Sequence, residues 1–258
     1  MRYLVVGKRA MIAFVCLTLV MGVVLVANLA QIVYTAGSTN KKHPIYSVET
    51  TKQLVSLGIN CAWDNADIPQ LIQVLEDHGV KATFFVVGDW CDRYPESVKA
   101  LYDAGHEIGS HSDTHADMTK LDRAGMEREI RDSAAKITAI TGKAPTLFRP
   151  PSGAYNSTVV EVIEAEGFYP IQWDCDSIDY KDPSTAEMKA RIFKRLRSGS
   201  ILLFHSGAKN TPAALPEIID AITEKGYRFV PVSQLIYTGS YTVDFEGRQH
   251  PATNTSKS

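Results

Sequence analysis

The sequence predicts an α/β fold in which parallel strands form one sheet, either open or closed into a barrel. Strand-like and helix-like segments alternate about seven times after residue 52, which is the pattern of a parallel sheet covered by helices. Polar side chains also follow the strand candidates: His111, Arg149, Asp176 or Asp179, and His205. In a barrel-like fold such positions converge on one mouth, where the chemistry is usually placed.

Helices are predicted where apolar residues recur at helical spacing between start and stop signals. In the first helix the apolar positions from Ile68 to Leu75 follow the i, i+3, i+4, i+7 pattern. Pro95 is suited to a first turn, Asn156 to an N-cap and Gly142 to a helix end. The predicted helices cover 66–78, 95–104, 123–141, 156–166, 185–196 and 212–225.

Strands are predicted from short apolar segments that lie between these helices. The strand that begins at Glu107 leaves a turn at Gly105 and leads directly to His111 and His115. The other predicted strands cover 54–59, 82–87, 146–149, 168–173, 201–204 and 228–232.

The N-terminal segment has the properties of a membrane anchor. Residues 10–30 are apolar and uncharged, long enough as a helix to cross a bilayer, and Arg2, Lys8 and Arg9 precede them. We expect a single-pass anchor in the cell membrane with the following domain outside the cytoplasm; a signal peptide cleaved near 36–38 is the alternative. The expected organisation is a cytoplasmic N-terminus (1–9), a transmembrane anchor (10–34), a tether (35–51), one domain (52–238) and a polar tail (239–258).

Composition excludes several classes of function. The net charge is −2, and no basic excess suggests nucleic acid as a partner. Cys16 lies in the apolar N-terminal segment, and the other three cysteines are too few and too widely spaced for a disulfide framework or a CxxC zinc site, although one disulfide among them stays an open alternative. We expect a monomer.

The pair His111 and His115 is a candidate metal site. Neutral imidazole is a good zinc ligand, and two histidines four residues apart can hold one ion. Two surface histidines on a loop are the alternative, but the position after a buried strand favours the metal site.

Five segments of the chain, in order, resemble the polysaccharide deacetylase family, also called the NodB homology domain or carbohydrate esterase family 4. They are residues 81–88 (KATFFVVG), 105–115 (GHEIGSHSDTH), 148–153 (FRPPSG), 176–180 (DSIDY) and 203–205 (LFH). The resemblance implies a distorted, partly open (β/α) barrel and a metal-dependent N-deacetylase that acts on carbohydrate.

The resemblance also implies roles for single residues. His111 and His115 would bind a divalent metal, zinc in most members. His205 would be the general acid that protonates the leaving amine, and Asp179 would orient it. Arg149 would orient the general base.

Three further positions would contact the substrate. The backbone N–H near Ser152 would stabilise the oxyanion, and Leu203 and Tyr180 would lie against the sugar. This set suits amide hydrolysis, which needs a polarised carbonyl, a protonated leaving group and fixed donors at the oxyanion.

The first family motif is altered in this chain. The family has two adjacent aspartates, a base and a metal ligand, where this chain has Asn60 and Cys61. Three interpretations follow: the site is rebuilt around Asp64 as base or third ligand, or Cys61 binds the metal as a thiolate with both histidines, or the chemistry is lost and the groove remains. On general grounds Trp63 is expected in the core rather than in the groove.

The sequence therefore predicts a membrane-anchored deacetylase that hydrolyses N-acetyl groups of cell-wall glycan, such as peptidoglycan. The alternative is a catalytically impaired glycan-binding module, because of Asn60 and Cys61. An esterase of O-acetyl groups is a third hypothesis, since the same machinery would attack an easier carbonyl.

Overall fold

The structure is a computed structural model that describes residues 7–8, 21–22 and 41–252. The chain divides into two compact units, residues 1–41 and 42–258, and the second is described below. Almost all of the expected anchor at 10–34 lies outside the described residues, as does the alternative cleavage site at 36–38. Within the described part of the chain, no helix has both the length and the apolar character needed to cross a membrane.

Strands and helices alternate through the domain. The strands are β1 (Ser47–Val48), β2 (Leu54–Cys61), β3 (Thr83–Val86), β4 (Glu107–Ser110), β5 (Leu147–Phe148), β6 (Tyr169–Pro170), β7 (Cys175–Asp176), β8 (Ile201–His205), β9 (Arg228–Phe229), β10 (Tyr241–Val243) and β11 (Arg248–Pro251). The helices are α1 (Ile68–Asp77), α2 (Gly88–Arg93), α3 (Pro95–Asp103), α4 (Arg123–Thr141), α5 (Ser157–Ala165), α6 (Thr185–Arg195), α7 (Thr211–Glu224) and α8 (Val232–Leu235).

The main sheet is parallel and has the order β6-β5-β4-β3-β2-β8-β7, with β9 also paired to β2. No strand pairing joins β6 to β7 among the described residues, so the sheet is an open half-barrel. This confirms the parallel α/β fold. Strand β2 lies between β3 and β8, and its register places Asn60 beside His205.

The two faces of β2 have different environments. Its odd-numbered residues, from Val55 to Cys61, pack in the main apolar cluster with the surrounding helices. Its even-numbered residues include Gly58 and Asn60, which face the opposite side, where Arg149 lies. The alternation follows from the two-residue repeat of a strand and decides which side chains can reach the site.

Local signals explain the helix boundaries. Helix α4 begins after Asp122, whose carboxylate accepts a hydrogen bond from the Gly125 N–H, and ends at Gly142 in the left-handed conformation. Helix α5 begins after Asn156, whose side chain accepts from the Val159 N–H. These contacts satisfy backbone groups that a helix end leaves unpaired, and they confirm the predicted boundaries.

Both predicted flanks of the domain need correction. In the segment expected to be a tether, Ile45 and Val48 are fully buried, and β1 pairs with β11. In the segment expected to be a polar tail, β10 and β11 form an antiparallel hairpin. The polar composition of this segment suggested a frayed tail, but Gln249 is fully buried. Its side-chain amide accepts from the Tyr237 N–H and donates to the Tyr237 carbonyl.

The hairpin also carries a pH-sensitive contact. The ring of His250 contacts Asp244 and Glu49 at 2.8 and 2.7 Å, and hydrogen bonds to these carboxylates raise its pKa. Because the pKa of His250 is higher in the folded state, its ion pairs stabilise the fold fully below the unfolded-state pKa of about 6.5. This contribution to the free energy of unfolding is lost as the pH rises through the folded-state pKa. We therefore expect the melting temperature of the wild type to exceed that of His250→Gln at about pH 6, with the gap narrowing by about pH 9. A gap that widens with pH would contradict this assignment.

Candidate active site

A cavity of about 320 Å³ opens where the strands of the half-barrel end. It brings together His111, His115, Ser152, Tyr180, Leu203 and His205, as the sequence predicted. The remaining lining residues are Asn60, Ala62, Trp63, Trp173 and Asp176. Four predicted residues do not line the cavity. Asp179 and Arg149 contact lining residues from behind, Asp179 at His205 and Arg149 at Asn60, whereas Cys61 and Asp64 lie away from the cavity.

The histidine pair is rigidly placed at the end of β4. Nδ1 of His111 lies 2.7 Å from the carbonyl oxygen of Arg149; because a carbonyl only accepts, Nδ1 carries the proton and Nε2 is left with a lone pair. Burial lowers the pKa of both rings, and that of His111 lies well below its usual value. The two ring centroids are 5.0 Å apart. The pair is therefore neutral and can offer nitrogen ligands.

Glu129 of α4 fixes the loop that carries these histidines. Its carboxylate accepts from the backbone N–H groups of Asp113 and Thr114, each at 2.9 Å, and from the Thr114 hydroxyl at 2.7 Å. The loop includes His115 at a φ of 61°, a conformation that non-glycine residues rarely adopt. The sequence offered no signal for this role, because Glu129 lies in the middle of an ordinary helix.

Cys61 cannot act as the third metal ligand in this arrangement. Asn60 and Cys61 are neighbours on one strand, so their side chains point to opposite faces. Cys61 is fully buried in the apolar cluster, and this burial raises the pKa of its thiol, so the thiolate is disfavoured. The interpretation of Cys61 as a zinc ligand is therefore corrected.

Asp64 does not replace the missing aspartates either. It is exposed in the turn after β2, where Oδ1 accepts from the Ala66 N–H at 3.1 Å, and it does not line the cavity. Within the described residues, no group of three His, Cys, Asp or Glu side chains could hold a metal ion. Zinc hydrolases use three protein ligands, and the part of this chain that the structure describes brings two together, His111 and His115. The residues present therefore do not fit the metal centre that the resemblance implied.

The altered floor of the cavity is organised by Arg149. This side chain is fully buried, and its Nη1 donates to Oδ1 of Asn60 at 2.9 Å. Its Nη2 donates to the Gln172 carbonyl at 3.2 Å, its Nε has no partner among the described residues, and its guanidinium lies 3.8 Å from the centre of the Phe85 ring. Burial lowers its pKa to about 9.

Gly58 leaves the space that Arg149 needs, since a Cβ there would lie 2.6 Å from Nη2. With Oδ1 of Asn60 engaged by Arg149, the amide N–H₂ of Asn60 is what remains for the cavity. The floor therefore offers a hydrogen-bond donor at the position where a carboxylate would accept a proton.

The opposite wall of the cavity is intact. Nδ1 of His205 lies 2.7 Å from Oδ1 of Asp179, and the His205 backbone N–H donates to Oδ2 at 2.6 Å. Thr211 donates its hydroxyl to the same Oδ2 at 2.7 Å, a contact that the sequence did not suggest. Asp179 is fully buried, so it fixes the imidazole with Nε2 free. This arrangement suits a general acid, as predicted for His205.

Aromatic rings flank His205 and face solvent. Trp63 stacks on the imidazole with 5.2 Å between ring centroids, and Tyr180 meets it edge-on at 5.6 Å. Their exposed fractions are 44% and 45%, so the prediction that Trp63 belongs to the core was wrong. Trp173 forms the other wall, held against the Ser152 turn near Gly153. Exposed aromatic faces beside a polar cavity are suited to stacking on sugar rings.

Comparison with known proteins gives the family. The sequence model of the family called polysaccharide deacetylase matches residues 47–171. The chain is also 31% identical over 196 residues to a peptidoglycan-N-acetylglucosamine deacetylase of Bacillus cereus, a match that covers 74% of this chain and 92% of that protein. The chain belongs to the polysaccharide deacetylase family. The resemblance seen in the sequence is thereby confirmed, and the predicted enzyme class, carbohydrate N-deacetylase, is that of this named relative.

Two further relatives of this family member are informative. The chain is 31% identical over 193 residues to the uncharacterized protein YlxY of Bacillus subtilis; the match covers 75% of this chain but only 60% of that protein. The crystal structure of BA3943 from Bacillus anthracis, described as a CE4 family pseudoenzyme, superposes with a TM-score of 0.72 at 33% identity, covering 74% of this chain and 68% of that chain. A mutant of BA3943 is described as having restored enzymatic activity, with the same TM-score and identity.

Proposed function

We propose that the cavity binds an N-acetylated sugar of a peptidoglycan-type glycan and that the chain removes its acetyl group slowly. The observation that carries the proposal is the hydrogen bond from Arg149 to Asn60, in a cavity whose His205–Asp179 wall is complete. The sugar would stack against Trp63 and Tyr180, with its acetamide between Asn60 and His205.

The residues present account for part of the reaction. His205 can give a proton from Nε2 to the leaving amine, because Asp179 holds the ring through Nδ1. The Asn60 amide can donate a hydrogen bond to the acetamide oxygen, but an amide side chain cannot take a proton from the attacking water. The slow step is therefore attack by water, and zinc is assigned no step because the third ligand is missing among the described residues.

A second candidate is a glycan-binding module without turnover. It is favoured by the same amide at position 60 and by the likeness to BA3943, which is described as a pseudoenzyme. Both candidates use the same groove and predict the same glycan binding. They differ only in acetate release, which the module would lack.

We further propose that residues 10–34 anchor the chain in the cell membrane with the domain on the extracytoplasmic side. The uncharged apolar run and the cations before it support this placement. In intact cells, added protease should then digest the domain, and alkaline carbonate washing should leave the chain in the membrane fraction. Protection from protease, or release by carbonate, would contradict the placement.

Binding is tested by titrating chitotetraose, a neutral N-acetylglucosamine tetramer, into the full chain. Since an aromatic stacking contact contributes roughly 1 kcal/mol, Trp63→Ala should weaken binding about 5- to 10-fold. The matched control is Phe245→Ala, which removes an aromatic side chain that is 82% exposed and does not line the cavity. Equal losses in both variants would contradict a sugar site at Trp63.

A further inference from the structure

We propose that a cluster of cations beside the cavity binds a carboxylate or phosphate group on the sugar next to the one in the cavity. The cluster consists of Arg191, Lys194 and Arg195 on α6, and we call it the basic shelf. This inference rests on the proposed glycan binding and adds to it a preference for anionic glycan.

The three cations share one face of the helix. Residues at i, i+3 and i+4 are neighbours on a helix surface, and Met188 and Ile192 are the residues through which this helix is buried. All three shelf residues are exposed, and none makes an ion pair with any residue between 41 and 252. By contrast, Lys189 on the same helix is paired with Glu217, and Arg197 just beyond it is paired with Asp174.

The helix dipole explains part of the positive charge at the end of α6. Lys194 and Arg195 lie in the last turn, where positive charge is favourable to the helix dipole. The dipole does not explain Arg191, which lies one turn earlier and lines the first depression together with Asp176. Asp176 also lines the cavity that contains Tyr180 and His205, so the shelf borders that cavity.

The shelf is continuous with the cavity. Two depressions of about 390 and 490 Å³ lie beside it; Arg191, Lys194 and Arg195 line the first, and Arg195 and Arg197 line the second. Trp173 lines both depressions and the cavity, and Asp176 lines the cavity and the first depression. A glycan chain that leaves the cavity past Trp173 therefore meets the shelf with its next sugar.

Three carboxylates line the depressions, Asp174, Asp176 and Glu246, but the first depression keeps an excess of positive charge, because three shelf cations face Asp174 and Asp176 there. Asp174 is engaged by Arg197, by the Ser200 hydroxyl at 3.0 Å and by the Ile201 N–H at 2.9 Å. Oδ1 of Asp176 accepts from the Ile178 N–H at 2.8 Å. Guanidinium groups bind carboxylates and phosphates in a bidentate manner, so the unpaired arginines suit either anion.

The experiment compares three tetrasaccharides with the full chain by calorimetric titration. One is neutral chitotetraose, one alternates N-acetylglucosamine with the carboxylate-bearing N-acetylmuramic acid, and one carries phosphate on N-acetylglucosamine. Several exposed charge contacts together should make binding of an anionic glycan about tenfold tighter than that of chitotetraose, with the preference shrinking in high salt. The anionic glycan that binds more tightly shows whether the shelf recognises a carboxylate or a phosphate.

The variant is Arg191→Gln/Lys194→Gln/Arg195→Gln, which should bind all three glycans within about twofold of one another. The control is Lys52→Gln/Arg128→Gln/Lys143→Gln, which removes the same charge from exposed residues that line neither the cavity nor the depressions, and it should keep the preference. The role of the basic shelf would be overturned, and the proposed function left standing, by either of two results. One is that the wild type binds all three glycans with equal affinity; the other is that the control loses the preference for anionic glycan as the shelf variant does. Failure of every glycan to bind would overturn the proposed function as well.

Discussion

Asn60→Asp is expected to raise the rate of acetate release from chitotetraose by about 100-fold or more, which is the usual contribution of a general base. The new carboxylate would take the place of an amide that already accepts from Arg149 at 2.9 Å. An anion there would pair with a buried guanidinium whose Nε now has no partner among the described residues, and it could accept a proton from water. The measurement is acetate production under saturating substrate.

The control for this gain is Asn65→Asp, which adds the same charge outside the cavity, where Asn65 now donates to the Ser97 hydroxyl. It should leave the rate unchanged. The paired variant Asn60→Asp/His205→Ala should lose the gain, because the leaving amine would have no proton donor. A gain that survives the loss of His205 would show that the acid has been assigned incorrectly.

Asp179→Asn is expected to cause the largest loss of stability in the site. The fully buried carboxylate accepts three hydrogen bonds, two from His205 and one from Thr211. An asparagine would keep one oxygen and turn a donor toward groups that also donate. Leaving buried donors unsatisfied and removing charge-assisted bonds should cost about 3 kcal/mol, or a fall of roughly 10 °C in melting temperature.

The matched substitution is Asp176→Asn, which changes a partly exposed carboxylate of the same cavity. Because Asp176 accepts one hydrogen bond among the described residues, from the Ile178 N–H, we expect a loss below about 1 kcal/mol. Comparable losses in the two variants would mean that the Asp179 cluster does not stabilise the fold as its burial indicates.

The fold could largely be predicted because its signals are local and periodic. Helix α4 has the predicted bounds, Arg123–Thr141, since it is capped at one end by Asp122 and ends at a left-handed Gly142. The C-terminal hairpin was missed because β10 and β11 are short, polar strands of a small separate sheet. Their stability comes from distant partners such as β1, which no local pattern shows.

The sequence predicted those site residues that directly follow a strand. It did not predict the site where membership depends on the direction in which a side chain points. His111 and His205 meet at the cavity because parallel strands deliver their ends to one edge. Cys61 was proposed as a ligand by its place in a motif, although the two-residue repeat of β2 turns it away from Asn60 and into the core. Asp64 was proposed because it was near in sequence, but the turn after β2 leaves it in solvent.

We propose that this member of the polysaccharide deacetylase family has a sugar site and a general acid, and that the described residues lack a general base. The decisive experiment measures chitotetraose binding and acetate release on the same sample of wild-type full chain. We expect saturable binding, with acetate release at about one hundredth or less of the rate of Asn60→Asp. Wild-type acetate release as fast as that of the variant, or no binding at all, would contradict it.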